Sequence, residues 1–160
     1  MFDICNFQGL FPTLASVRDE EVQSSDLSIK ESLIQNELRE AFREMGADPV
    51  AKRGKDSSLE VADIEHFRLR IKSISYSFVV VVKGYNSIKG KINSEAVMHQ
   101  VTKAYRTRPD YILLVSAREP VDSFVTDLVD FSKAVDNPNL IIFVPPVDLA
   151  KFLKVRNIFR

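Results

Sequence analysis

A chain of 160 residues with 45% hydrophobic and 28% charged content is long enough for one domain with a sizeable core and leaves little room for a second. No apolar run approaches the ~20 residues of a helical membrane span, and the single cysteine, Cys5, excludes an internal disulfide and a cysteine-based zinc site, so a cytoplasmic location is the default. The formal net charge of zero argues against a nucleic-acid binder, yet residues 1–50 hold ten acidic side chains against four basic, which leaves residues 51–160 basic.

The opening Met1-Phe2-Asp3-Ile4-Cys5 lacks the basic start and long apolar segment of a secretory signal. Residues 1–26 show no clear period and mix Phe2, Phe7, Leu10 and Phe11 with the polar, acidic tract Asp19 to Asp26, which predicts a partly ordered arm. Its aromatic residues call for a surface to pack on, either this domain or a second copy in a homodimer. Ser28 and Glu31 have the spacing of a capping box, and Leu27, Ile34, Leu38, Ala41, Phe42 and Met45 form one helical stripe that Gly46 is placed to end. This predicts a first helix over 27–45. Ala47 to Ala51 reads as a short edge segment, followed by a polar loop to Ser58. Leu59 to Glu65 and Phe67 to Lys72 alternate as strands do, and Ser75 to Ser77 reads as the tight turn after them.

Phe78-Val79-Val80-Val81-Val82-Lys83-Gly84 is the central strand, because β-branched side chains suit a pleated, buried surface. Side chains alternate across a strand, so Val79, Val81 and Lys83 share one face. Beyond it Asn93 is a good N-cap for a helix carrying Val97, Val101, Ala104 and Tyr105. Tyr111 to Ser116 is a buried strand, Pro120 suits the first turn of a helix that runs on through Val135, Leu140 to Val144 is another strand, and Val147 to Val155 is a last short helix. Alternation of this kind predicts an α/β fold: a mixed central sheet, an antiparallel meander joined to parallel strands, flanked by helices.

In this order of elements the chain resembles the restriction-endonuclease-like, or PD-(D/E)XK, nuclease superfamily from about Ile34 to Leu153. The resemblance is carried by Leu38-Arg39-Glu40-Ala41-Phe42-Arg43-Glu44-Met45-Gly46-Ala47, by Val61-Ala62-Asp63-Ile64-Glu65 and by Val80-Val81-Val82-Lys83-Gly84-Tyr85. It implies that Asp63 is a metal-binding aspartate and Lys83 the lysine that activates the attacking water, with Mg2+ or Mn2+ as the cofactor of phosphodiester hydrolysis on DNA. The metal set implied is Asp63, Glu65 and Val82. In the family a second acid stands two residues before the lysine, since such residues project together toward the scissile phosphate; here that position is Val81, which cannot bind magnesium.

Two readings follow from Val81. Either another acid moves into the site, with Glu65, Glu95 and Glu37 as the candidates, or the fold is catalytically inactive and serves as a structural or protein-interaction subunit, a dimer formed through the N-terminal arm. Lys89, Lys91, Lys103, Arg106 and Arg108, with Glu95 as the one acid between Lys83 and Arg108, are the expected contacts to DNA phosphates. His66 and His99 lack partners at ligand spacing. Ser116 lacks the glycine framing of a hydrolase nucleophile, and Gly84 to Ile92 lacks the spacing of a phosphate-binding loop.

Overall fold

The computed structural model of the chain describes residues 6–22, 27–49, 64–84 and 90–156. Its centre is β3 (Ile74–Lys83), whose Phe78 to Val82 are at most 1% exposed. Sequence neighbours are spatial neighbours throughout the sheet, which runs β1 (Asp48–Pro49), β2 (Ile64–Ile71), β3, β4 (Tyr111–Ser116), β5 (Ile141–Val144). The pairs β1/β2 and β2/β3 are antiparallel, whereas β3/β4 and β4/β5 are parallel. The mixed sheet expected from the sequence is therefore present, with α3 (Ser94–Tyr105) and α4 (Phe124–Ala134) as the crossovers that parallel strands require.

The helices lie in two layers. On one face α2 (Glu31–Glu44), α5 (Pro146–Val155) and the N-terminal segment pack on Phe67, Leu69, Phe78, Val80, Val82, Leu113 and Val115. On the other, α3 and α4 pack on Val79, Val81, Ile112 and Leu114. The two lists alternate along each strand, as a pleated sheet demands. Phe67 and Leu69 of β2 are buried while Arg68 and Arg70, which alternate with them, are exposed, so the α3 side of β2 is uncovered at these positions.

Four boundaries differ from the sequence reading, each for a local reason. Residues 6–22 are built into the fold: α1 (Phe7–Leu10) and two 3-10 turns, Pro12–Ser16 and Asp19–Glu21, bury Phe7, Leu10 and Leu14 against the domain itself. The first long helix starts at Glu31, not Leu27, and its N-cap, Lys30, makes no side-chain cap. Leu27 is held outside it because its N–H donates to the Ala117 carbonyl at 2.9 Å. The β2–β3 turn falls at Lys72-Ser73, closed by the Ile71–Ile74 pair, and Ser75 and Ser77 lie within β3. Lys72 takes φ 58°, the left-handed conformation that primed hairpin turns need and that glycine usually supplies. Pro120 pairs with Ile92 in an isolated parallel bridge, and the helix after it begins only at Phe124.

Candidate functional site

Lys83 ends β3, and its backbone is held by the end of β4. It pairs in register with Ser116 at the end of β4, and the Ala117 N–H donates to the Lys83 carbonyl at 2.9 Å. The side chain is 8% exposed, unusually deep for a lysine, whose stem ordinarily packs while the ammonium reaches water. Continuing the alternation of Val79 and Val81, it stands on the α3 side of the sheet. Ser116 beside it is fully buried, and its hydroxyl donates to the Arg118 carbonyl at 2.7 Å and accepts the Arg118 N–H at 3.0 Å. Ser116 thus shapes the turn that leaves β4, the part a strand-end serine plays without nucleophilic chemistry.

The first turn of α2 closes over the next residue. A Cβ on Gly84 would collide with the backbone nitrogen of Glu31 and stand 2.7 Å from its Cγ, so only glycine allows this approach. The Gly84 N–H donates to Glu31 Oε1 at 3.2 Å. Glu31 is therefore the carboxylate of α2 that the fold brings to the end of the lysine strand. It was legible in the sequence only as a capping residue, because nothing local links position 31 to a glycine so distant in the chain. Lys83 and Glu31 meet the end of β3 from opposite faces.

The other sequence candidates distribute as follows. Asp63 and Lys89 lie outside the described residues. β2 begins at Ile64, opposite Val81, with Glu65 opposite Val80 in the backbone register, which places the start of β2 at the Lys83 end of β3. Val81 and Val82 are both fully buried in the two apolar clusters, so Val82 could offer a cation only its backbone. Glu37 accepts a bond from Arg156 Nε at 2.7 Å, and Glu44 takes the same guanidinium at 3.0 and 3.2 Å. These two acids tie α2 to the end of α5 and do not reach toward Lys83. Glu95 is exposed on the first turn of α3, where an acid complements the helix dipole.

The basic residues separate into two groups. Lys91 precedes α3 at the Lys83 end, whereas Lys103, Arg106 and Arg108 follow the helix to its far end, next to Tyr111 and its register partner Phe78. Phe78 and Lys83 are five strand residues apart, roughly 17 Å. Among the described residues the linear cluster does not gather into a single basic surface around Lys83. Among the described residues no three His, Cys, Asp or Glu side chains gather as a metal site, and no helix among them is long and apolar enough to cross a membrane. Comparison with protein-family models, with curated proteins and with solved structures finds no match to this chain.

Proposed function

We propose that this chain is a nuclease-like domain of the restriction-endonuclease-like type that binds DNA and hydrolyses phosphodiesters through Asp63 and Lys83. The observation that carries the reading is the topology at Lys83: an antiparallel β2/β3 pair followed by a parallel β4, with the start of β2 set beside the end of β3 and a nearly buried lysine there. The burial supports a role for Lys83 in orienting a water or phosphate oxygen. Glu31 replaces Glu37 as the acid that α2 offers, because its carboxylate is anchored at the strand end by Gly84. Asp63 is the side chain that would hold magnesium or manganese, with Glu65 next along β2; Glu31 stands at the strand end on the face opposite Lys83. When bound, such an ion stabilises charge developing on the phosphate.

The test is metal-dependent cleavage of plasmid, linear, single-stranded and branched DNA by the wild type and by Asp63→Ala, Lys83→Ala and Glu31→Gln. Loss of a proton-handling group costs about a hundredfold or more, so Asp63→Ala and Lys83→Ala abolish measurable cutting while the fold survives. A wild type that cuts nothing in either metal sinks the enzymatic reading.

A second reading has its own support. Val81 is fully buried in the cluster that includes Val97, Val101 and Ile112, so the position of the family's second acid is committed to the core. On this reading the domain is catalytically inactive and acts as a binding or interaction subunit. Intact DNA binding without cleavage is its signature.

A further inference from the structure

The uncovered face of β2 carries charge that the fold does not use. Arg68 and Arg70 alternate with the buried Phe67 and Leu69 and so stand on the side away from α2. Both are exposed, and neither side chain makes a hydrogen bond or ion pair with the described residues. Their cross-strand partners are Ser77 and Ser75. A cavity of about 340 Å³, lined by Gly46, Asp48, Pro49, Arg68, Arg70 and Ser75, opens at this end of the sheet.

The loop that follows α3 is fastened to the same place. The Ser77 N–H donates to Asp110 Oδ2 at 2.8 Å, and the Asp110 N–H donates to the Ser77 carbonyl at 3.0 Å. Arg106 and Arg108 on that loop are exposed, and Arg108 is held at φ 48°. With exposed Lys72 at the hairpin turn, five cations among the described residues lie at one end of the sheet, against Asp48 and the already engaged Asp110. An excess of positive charge of this kind attracts a polyanion.

We infer that this end of the sheet is a binding surface for the backbone phosphates of a nucleic-acid strand, with Arg68 and Arg70 as its centre and Arg106 and Arg108 as its flank. Spacing favours a strand over an isolated phosphate: residues two apart on β2 are about 6.7 Å apart, close to the separation of successive phosphates along an extended strand. Composition disfavours a lipid surface, since Ile74, 54% exposed, is the only large apolar side chain exposed in these segments. A strand laid along β2 from Arg70 past His66 arrives at the end where Lys83 stands. The inference extends the nucleic-acid part of the proposed function and does not require that the Lys83 end be catalytic.

The experiment is fluorescence anisotropy of the full chain with a labelled single-stranded oligonucleotide, and with the duplex of the same sequence, over a series of salt concentrations in EDTA. Arg68→Gln, Arg70→Gln and their double variant are compared with Lys133→Gln, an exposed cation on α4. Single strands lose about 0.7 in the log–log salt slope for each phosphate contact removed. The double variant is expected to bind at least tenfold more weakly with a slope about 1.4 shallower, while Lys133→Gln matches the wild type. Thermal melts confirm that the variants fold. Wild-type affinity and slope in the double variant overturn the inference, as does a wild type that binds neither oligonucleotide, or that binds vesicles of anionic lipid in their place. Binding that depends on Arg68 and Arg70 with no cleavage by the wild type supports the inference while the enzymatic reading fails.

Discussion

At Val81 and His66 single side chains decide what the sheet can do. Val81 has no exposed surface, and a carboxylate there would lose its hydration among aliphatic side chains at a cost of several kcal/mol. An acid at this position and the present seating of α3 exclude one another, so a metal site of the proposed kind would have to draw its second acid from elsewhere. His66, half-buried on β2 with its Nε2 unbonded, is held below the usual histidine range first by burial and then by the neighbouring Arg68 charge. The sign follows directly. The unfolded chain takes up a proton near the ordinary value of about 6.5 and the folded chain only at lower pH, so stability declines as pH falls through that window. Urea midpoints between pH 8 and 5 should fall for the wild type and fall less for His66→Gln. Parallel profiles would show that His66 is not responsible.

At the scale of elements, the contact between α2 and the end of β3 is the joint on which the candidate site depends. Gly84→Ala drives a methyl group into the backbone of Glu31, and overpacking of this kind costs typically 1–3 kcal/mol. The expected outcome is a lower denaturation midpoint together with loss of any activity that needs Glu31 at the strand end. A variant as stable and as active as the wild type would mean that the helix start is free to move. The order of strands and crossover helices was readable because long apolar runs and helical stripes are local signals. The turn at Lys72-Ser73 was not, since a lysine occupies the left-handed position and the serines further on mimic a turn. The late start of α2 was hidden for a different reason: Leu27 keeps helical spacing with Ile34 but is held by Ala117, a tertiary bond that outweighs the pattern. The division of the basic cluster follows from α3 itself, whose 12 residues span about 18 Å and carry Arg106 and Arg108 away from Lys91.

Across the whole molecule, the N-terminal segment decides whether the chain acts alone. Its aromatic residues asked for a surface, and the fold supplies one: Phe11 lies 5.0 Å from Phe7, 5.2 Å from Phe152 and 5.6 Å from Phe42 between ring centroids. Lys151 is buried in an ion pair with Asp19, and Lys154 donates to the Glu21 carbonyl at 3.2 Å, so α5 grips the segment at its polar end as well. Leu14, fully buried, is the wedge in this layer. Leu14→Ala should cost about 2–5 kcal/mol, as large-to-small changes in a close-packed core do. The same change also separates packing within one chain from exchange between two copies. If the segment packs on its own domain, the midpoint of urea unfolding is independent of protein concentration in both the wild type and the variant. If it crosses to a partner, the midpoint rises with concentration, because association then contributes to stability by mass action. A concentration-independent wild type with a midpoint well above that of Leu14→Ala would establish the segment as part of the monomer's core; a midpoint that climbs with concentration would return it to the role of an exchanged arm.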